Sequence, residues 1–465
     1  MSMLNNGLSG IVASQIALNT VSQNLANVLT PNYTRQGVSL TAKASTSTAT
    51  SAGNGVAATS LIRYADSYKT QQMWRANSSL GQFEAAQTYL MQLEQVMGDA
   101  GSGLSASLDS FFAALSAASV EPASTPLRQQ IIEQAGALGQ SIGNLSQVIS
   151  NQRVAVAQQR EVAADQVNSY ISDIATLNAK IIQAQGAGLN TSSLEDQRDA
   201  RVDDLSKLVG LQTLTQPDGS INLSLKGGQP LVVGDRAAHM EVGTVNGGYV
   251  INVTFGTERF ALEASQWQGT LGGLSAMETD VLQPLDASIR AMAKALTERV
   301  NDLMTAGYGT EAANGKALFV YNPASSNNML TVTDITAAEL GLSSRPNEPG
   351  NSDQLQNIIA LQQQSLDLNL YTLAGESVFL GSAVLLGDVY TQLVGKLGTY
   401  SQQNNASYET SKTVREQSER NWNSTSAVNS DEEAVNLMQY QQMYQANMKV
   451  IATANTLFDD LLQLR

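Results

Sequence analysis

Gly139-Gln140-Ser141-Ile142-Gly143 has the spacing of the G-x-S-x-G elbow, in which a serine stands on a sharp strand-to-helix turn as a nucleophile. That chemistry needs a base, usually histidine, in hydrogen-bond reach, and the 465-residue chain has one histidine, His239. It also needs a strand before the serine. Here the five residues fall inside a helical repeat with Ile142 at a core position, so the spacing reads as a chance match. The chain has no cysteine, which removes thiol nucleophiles, disulfides and thiolate metal sites together. With one His, neither H-E-x-x-H nor a Cys/His zinc pattern can be written. His239, beside Met240 in a strand-like run, reads as a surface or edge residue. Gly53-Asn54-Gly55 lacks a third glycine and a following helix, and no G-x-x-x-x-G-K-[ST] occurs, so no phosphate cradle is expected. Asp203-Asp204, Asp431-Glu432-Glu433 and Asp459-Asp460 could hold a cation or work as acid and base. On helices such pairs read as solvated faces or caps. Ser430 to Glu433 fits a helix start, with Ser430 at the N-cap and Glu433 at the capping-box position. No catalytic residue, cofactor or metal is expected.

Composition limits the partners. Hydrophobic residues make up 42% of the chain but charged ones only 14%, which suits helices that meet many neighbours across neutral surfaces. The net charge of −15 disfavours nucleic acid and anionic membranes. No run of 18 apolar residues exists, so no membrane insertion is expected. The first 30 residues have no Lys or Arg and lack a clean apolar core, unlike a secretory signal.

Proline maps the elements. None of the nine prolines lies between Pro126 and Pro217, and none follows Pro349, so long helices can run in both stretches. The first carries a seam at Ile131, Ala135, Leu138, Ile142, Leu145, Ile149, Gln152, Val156, Gln159, Ala163, Gln166 and Tyr170. Run on to Gln185, before Gly186 and Gly188, it predicts a rod on the order of 90 Å long. Leu194 to Val209 reads as a further helix. From Leu211 to Phe260 short alternations and turn signals (Pro217-Asp218-Gly219, Gly227-Gly228, Asn246-Gly247-Gly248) predict a β-rich unit. A helix from Leu274 to Met304 and a strand at Met329 to Thr333 follow. Between Gly37 and Ala65 a Ser/Thr/Ala tract (Ser39 to Ser51) and Val56 to Tyr64 predict an extended hairpin or loop.

The two ends carry matching helical seams. Leu4, Leu8, Ile11, Gln15, Leu18, Ser22 and Leu25 alternate by four and three residues, as do Leu437, Gln441, Tyr444, Met448, Ile451, Asn455, Phe458 and Leu462. That is the 3.5-residue repeat of a helix burying a narrow stripe on a partner. The partner is the other end, a neighbouring subunit, or simply an ordinary globular body. The expected fold is therefore mainly α with a β-rich insert. Terminal helices pair as a coiled coil around an elongated long-helix bundle and a central β domain. Its units are 1–36 (N-terminal helix), 37–210 (first half of the body), 211–350 (β-rich insert with one helix), 351–427 (second half) and 428–465 (C-terminal helix).

Asn24-Leu25-Ala26-Asn27 followed by Thr30-Pro31-Asn32-Tyr33-Thr34-Arg35 resembles the N-terminal signature of bacterial flagellar rod, hook and hook-associated proteins. Gly is usual where Asn32 stands, and Asn tolerates the same left-handed backbone. Val428 to Leu462, with Asp431, Glu432 and Glu433, is similar to the closing motif of the hook-associated members, as are Glu195 to Asp199 and Asn301 to Phe319. The resemblance implies a structural adaptor at the junction between hook and filament, with no enzymatic activity. It implies export by the flagellar type III apparatus with an export chaperone, and an extracellular place in the flagellum. Subunits would self-assemble into a ring, with hook protein on one side and a second junction protein or filament on the other. The assembly seam would be Leu4, Leu8, Ile11, Leu18, Leu25, Leu437, Tyr444, Met448, Ile451, Phe458 and Leu462. The family motif would be Asn24, Asn27, Thr30, Tyr33, Arg35 and Asp431 to Glu433. Another axial subunit, of rod, hook or filament type, is the alternative, and a flagellum-associated wall hydrolase a more distant one.

Overall fold

The computed structural model describes residues 2–44, 53–98, 103–245, 248–262, 267–380 and 383–463. The centre of the expected Ser/Thr/Ala tract and the Asn246-Gly247 turn lie outside them.

The spine is α4 (Thr125–Gly186), 62 residues long, with Pro126 in its first turn where the missing N–H leaves no bond unmade. From Ile131 to Val156 its buried stripe follows the expected seam. Beyond Val156 it departs. Gln159 and Gln166 are exposed and Tyr170 is half-buried, while Arg160, Ala163, Val167, Ile171 and Ile174 are buried. A straight helix has 3.6 residues per turn, so a strict 3.5 reading drifts by about 20° per heptad. The helix absorbs the drift with paired four-residue steps, at Gln152, Val156, Arg160 and again at Ala163, Val167, Ile171.

The G-x-S-x-G run sits on α4 as a seat for backbone. A Cβ on Gly139 would lie 2.5 Å from the Leu330 carbonyl oxygen, and one on Gly143 2.2 Å from that of Asn327. Only glycine lets the hairpin of β10 (Phe319–Tyr321) and β11 (Leu330–Val332) approach so closely. Ser141 Oγ lies 2.7 Å from Ser107 Oγ. Met240, next to the exposed His239, is hydrogen-bonded to Asn168, on the order of 40 Å along the helix from Ser141. No triad forms. Gly143→Ala should lower the unfolding free energy by about 1–3 kcal/mol, because the Asn327 backbone must move. Gly136, with nothing within 4 Å of a Cβ, should gain about 0.5–1 kcal/mol as Ala. Urea unfolding checks both; equal effects would mean that the hairpin does not rest on α4.

Two apolar cores lie along the spine. The first joins Ile131 to Val156 of α4 with the end of α2 (Ser67–Met97), α3 (Leu104–Ala118), α7 (Gln283–Ala306), α8 (Asp353–Ala360) and the start of α9 (Val389–Ser426). The expected single helix at Leu274 to Met304 is one rod made of α6 (Gly269–Ala276), a π-helical turn (Met277–Leu282) and α7. Glu278, buried in that turn, pairs with Arg153 at 2.9 Å. The second core joins Met73, Trp74, Ala163 to Ala175 and α5 (Ser192–Leu208) with the β-rich stretch. That stretch forms an antiparallel sheet of β3 (Leu211–Thr215), β4 (Ile221–Leu225), β5 (Pro230–Val233) and β6 (Arg236–Ala237). A second sheet holds β7 (His239–Val245), β8 (Gly248–Phe255) and β9 (Glu258–Leu262). The β unit thus shares its core with the helices beside it. Asn178 fixes it to α4, donating to the carbonyls of Ile221 at 2.8 Å and Gly234 at 2.7 Å.

The chain goes out and returns. α9 runs antiparallel to α2: the Tyr390 hydroxyl donates to the Met97 carbonyl at 2.9 Å, Asn404 to that of Phe83 at 3.1 Å, and Arg415 to Asn77 Oδ1 at 3.1 Å. Asn77 also donates to Asp203 at 2.7 Å. Asp203 is therefore not the solvated acid its sequence context suggests. It is buried between α2 and α5, with Lys207 3.4 Å away. No helix among the described residues is long and apolar enough to cross a membrane.

Candidate functional site

Among the described residues no group of three or more His, Cys, Asp or Glu could hold a metal. What the sequence motifs do converge on is an elbow. α1 (Ser2–Ala26) ends in the turn 27–34, whose Asn32 takes φ 60°, the left-handed backbone expected where glycine is usual. A hairpin follows, β1 (Gln36–Ala42) paired antiparallel with β2 (Val56–Arg63) and packed on α1. α9 ends at Ser426 and α10 (Ser430–Gln463) begins beside the same turn.

Asn24, buried at the end of α1, closes the turn from both sides. Its Nδ2 donates to the Gln36 carbonyl at 2.8 Å, and its Oδ1 accepts the Gln36 N–H and the Tyr33 hydroxyl at 3.0 Å each. Thr30 donates to Asn27 Oδ1 at 3.1 Å, tightening the turn itself. Arg35 then links three chain segments. Its N–H donates to the Ser426 carbonyl at 2.8 Å, its guanidinium pairs with Glu432, and it stacks 4.7 Å from the Tyr64 ring centroid. Arg63, which the sequence reading missed, anchors the elbow to the body. It reaches Asp196 at 2.7 Å and Asp199 at 2.8 Å, with Glu195 at 3.7 Å, and Asp196 also accepts the Thr34 N–H at 3.3 Å. The Glu195 to Asp199 motif was the available signal, but its partner lies 133 residues away. The N-cap of α10 is Asn429, whose Oδ1 accepts the Asp431 N–H at 3.0 Å and the Glu432 N–H at 3.4 Å. Ser430, expected in that role, is the first helical residue, because the Asn side chain one position earlier reaches the free amides. Asp431 is exposed, and Glu433 is buried rather than solvated.

Burial sets the electrostatics. It pushes the Tyr33 hydroxyl up to about 12, with the charges of Asp196 and Glu433 adding to the shift. It also raises Asp196, against the opposing pull of Arg63 and Thr34. Burial raises the Glu433 carboxyl too, partly offset by a hydrogen bond from Asn24 and the Arg35 charge. The folded state therefore holds the Glu433 proton to a higher pH than the unfolded chain, where it leaves near 4.5. The contribution of this group to stability is complete below that value and falls as pH rises through the folded one. Glu433→Gln should flatten this limb, so the melting temperature of the variant relative to the parent should climb between pH 4 and pH 7. A pH-independent difference would show that Glu433 is solvated.

α1 and α10 lie side by side and antiparallel: Gly7 faces Ile451, Gly10 faces Asn447, and Asn24 meets Glu433. The line of contact differs by one residue from the expected stripe. The α1 residues on that line, Gly7, Gly10, Ser14, Ala17, Val21 and Asn24, are buried, with Ala13 and Thr20 beside them. Ile11 is buried and Leu4 and Leu18 are half-buried, whereas Leu8, Gln15, Ser22 and Leu25 are exposed. On α10 Leu437, Tyr444 and Ile451 are half-buried, but Gln441, Met448, Asn455, Phe458 and Leu462 are exposed. The reason is size. A Cβ on Gly10 would lie 2.4 Å from Asn447 Oδ1, so small residues set the line of closest approach and the large apolar ones flank it. Leu8 (57% exposed) and Phe458 (59%) are left on the outer faces of the pair.

A sequence profile described as the flagellar hook-associated protein FlgK helical domain matches residues 90–319. Another, the flagellar basal body rod FlgEFG protein C-terminal region, matches residues 421–464. Flagellar hook-associated protein 1 of Salmonella typhimurium is 27% identical over 555 aligned positions that cover 100% of both chains. Against the 465 residues here, those positions leave 555 − 465 = 90 with no counterpart in this chain. The protein of the same name from Bacillus subtilis is 25% identical, covering 97% of this chain and 95% of its own. The solved flagellar hook junction protein FlgK from Burkholderia pseudomallei superposes with a TM-score of 0.51 at 27% identity, over 54% of this chain and 47% of that one.

Proposed function

The chain belongs to the flagellar hook-associated protein 1 family, and from that premise we infer a structural adaptor at the junction between hook and filament. The observation that carries this reading is the elbow. Residues of the terminal motifs, Asn24, Tyr33, Arg35, Glu432 and Glu433, meet around one turn and tie the paired terminal helices to the body through Arg63 and Asp196. Such a joint transmits load between an assembly module and an outer body, which is what an adaptor needs and a catalyst does not.

The terminal pair supplies the assembly surface. Its outer faces present Leu8, Leu25, Met448, Phe458 and Leu462 to solvent, an apolar area that a neighbouring subunit would cover. α1 carries no charged side chain, so like copies meet there without repulsion. On this reading copies close into a ring, with hook protein on one side and a second junction protein or filament on the other. The chain leaves the cell through the flagellar type III apparatus, escorted by a chaperone that covers the exposed apolar faces. The match of residues 421–464 to a rod-protein region keeps a second reading in view, that of a rod or hook subunit elsewhere on the same axis.

Labelling the protein in intact flagella separates the two. Signal confined to one point between hook and filament is expected. Signal along the rod, or along the whole hook, would transfer the chain to another place on the axis.

A further inference from the structure

We propose that the C-terminal turns of α10 of one copy, Leu457 to Leu462, dock in a cleft between α1 and the β1–β2 hairpin of the next copy. This rests on the adaptor reading and names the contact through which that assembly would close.

The cleft is about 520 Å³. Leu8, Val12 and Ile16 form its helical wall and Val56 to Ala58 its strand wall, and Lys43 is the one charged residue among its described lining. Lys43 is exposed and enters no ion pair among the described residues. An occupant that matches must be apolar, narrow and acidic. On α10, Leu457, Phe458 and Leu462 are exposed and Asp459 and Asp460 stand among them, also exposed and unpaired among the described residues.

The segment cannot fill the cleft of its own chain. Ile451 lies against Gly7 and Asn447 against Gly10, so the antiparallel helix carries Leu457 onward past Asn5 and away from Val12 and Ile16. The contact is thus between copies, and it is heterologous: tail of one, cleft of the next. Repeated in one direction, it closes a ring or climbs as a helix; reciprocal exchange of tails in a two-fold pair would stop at a dimer, which cross-linking tells apart from a ladder. The lysine favours the C-terminal end of α10, where the two exposed carboxylates of Asp459 and Asp460 stand among Leu457, Phe458 and Leu462.

The chain has no cysteine, so Val12→Cys with Phe458→Cys reports the contact without interference. A motile strain producing only this variant would have its flagella sheared off with hooks, oxidised and run on a denaturing gel, with the protein located by antibody in the same preparation. A ladder of covalent multimers, absent from either single-cysteine variant, is the expected result. Protein at the junction with no ladder, or a dimer from one cysteine alone, overturns the proposal and leaves the adaptor reading standing. Protein absent from the junction overturns both. In the cysteine-free chain, Lys43→Glu should reduce swimming spread about fivefold through like-charge repulsion, and adding Asp459→Lys with Asp460→Lys should restore it. A triple variant that swims no better than Lys43→Glu would also overturn the proposal.

Discussion

Ile142→Asp is expected to abolish cooperative melting of the helical body, lowering its stability by about 4 kcal/mol or more. Ile142 is fully buried on the spine, between Gly139 and Gly143, where the β10–β11 hairpin lays its carbonyls on the helix. Ile142 belongs to the first apolar core, so a carboxylate there would be desolvated among apolar side chains that offer it no hydrogen bond. The site is also too tightly packed to admit water, since the hairpin backbone already stands at glycine distance. A typical stability of about 5–15 kcal/mol leaves little margin for such a loss. Val154→Asp is the matched control. Val154 is exposed on the same helix, and the change there should stay within about 0.5 kcal/mol. Thermal melting followed by far-ultraviolet circular dichroism distinguishes them; a normal transition for Ile142→Asp would mean that this stripe faces solvent.

The sequence made some of this legible and hid the rest for identifiable reasons. Helix lengths were readable because proline and glycine punctuate them: α4 occupies Thr125–Gly186 where a rod to Gln185 is expected. The left-handed Asn32 was readable through the family resemblance, in which glycine is usual at that place and Asn tolerates the same backbone. Register was readable only where packing follows size. In the first core large apolar side chains point inward, and Ile131 to Val156 fall where the repeat places them. Along much of the line between α1 and α10 the contact residues are small (Gly7, Gly10, Ser14 and Ala17), so a reading based on large apolar residues lands one position away, on the flank. Partners distant in sequence were not readable at all. Nothing in Asp203 announces Asn77, and nothing in the Glu195 to Asp199 run announces Arg63.

Leu18→Asp combined with Ile451→Asp should abolish filaments and motility while leaving the melting transition of the body in place. Both residues are half-buried on the terminal pair, and α1 carries no charged side chain to pair with a carboxylate placed at Ile451. Each carboxylate would have to be desolvated to let the helices close, and two helices of 25 and 34 residues need that mutual packing to stay ordered. The body is insulated from the damage. Neither apolar core contains a residue of α1 or α10 among its buried members, and the two modules meet at the elbow through Arg35, Arg63 and Asp196. Spread in soft agar should fall to that of a strain lacking flagella, with hooks present and flagellin released to the medium. His239→Ala, on an exposed edge strand remote from the pair, should swim normally. If the double variant builds ordinary filaments, the terminal helices are dispensable for assembly and the adaptor reading loses its mechanism. If instead the body melts with the helices, the elbow is a rigid continuation of the core, and load would pass through one continuous unit rather than across a joint.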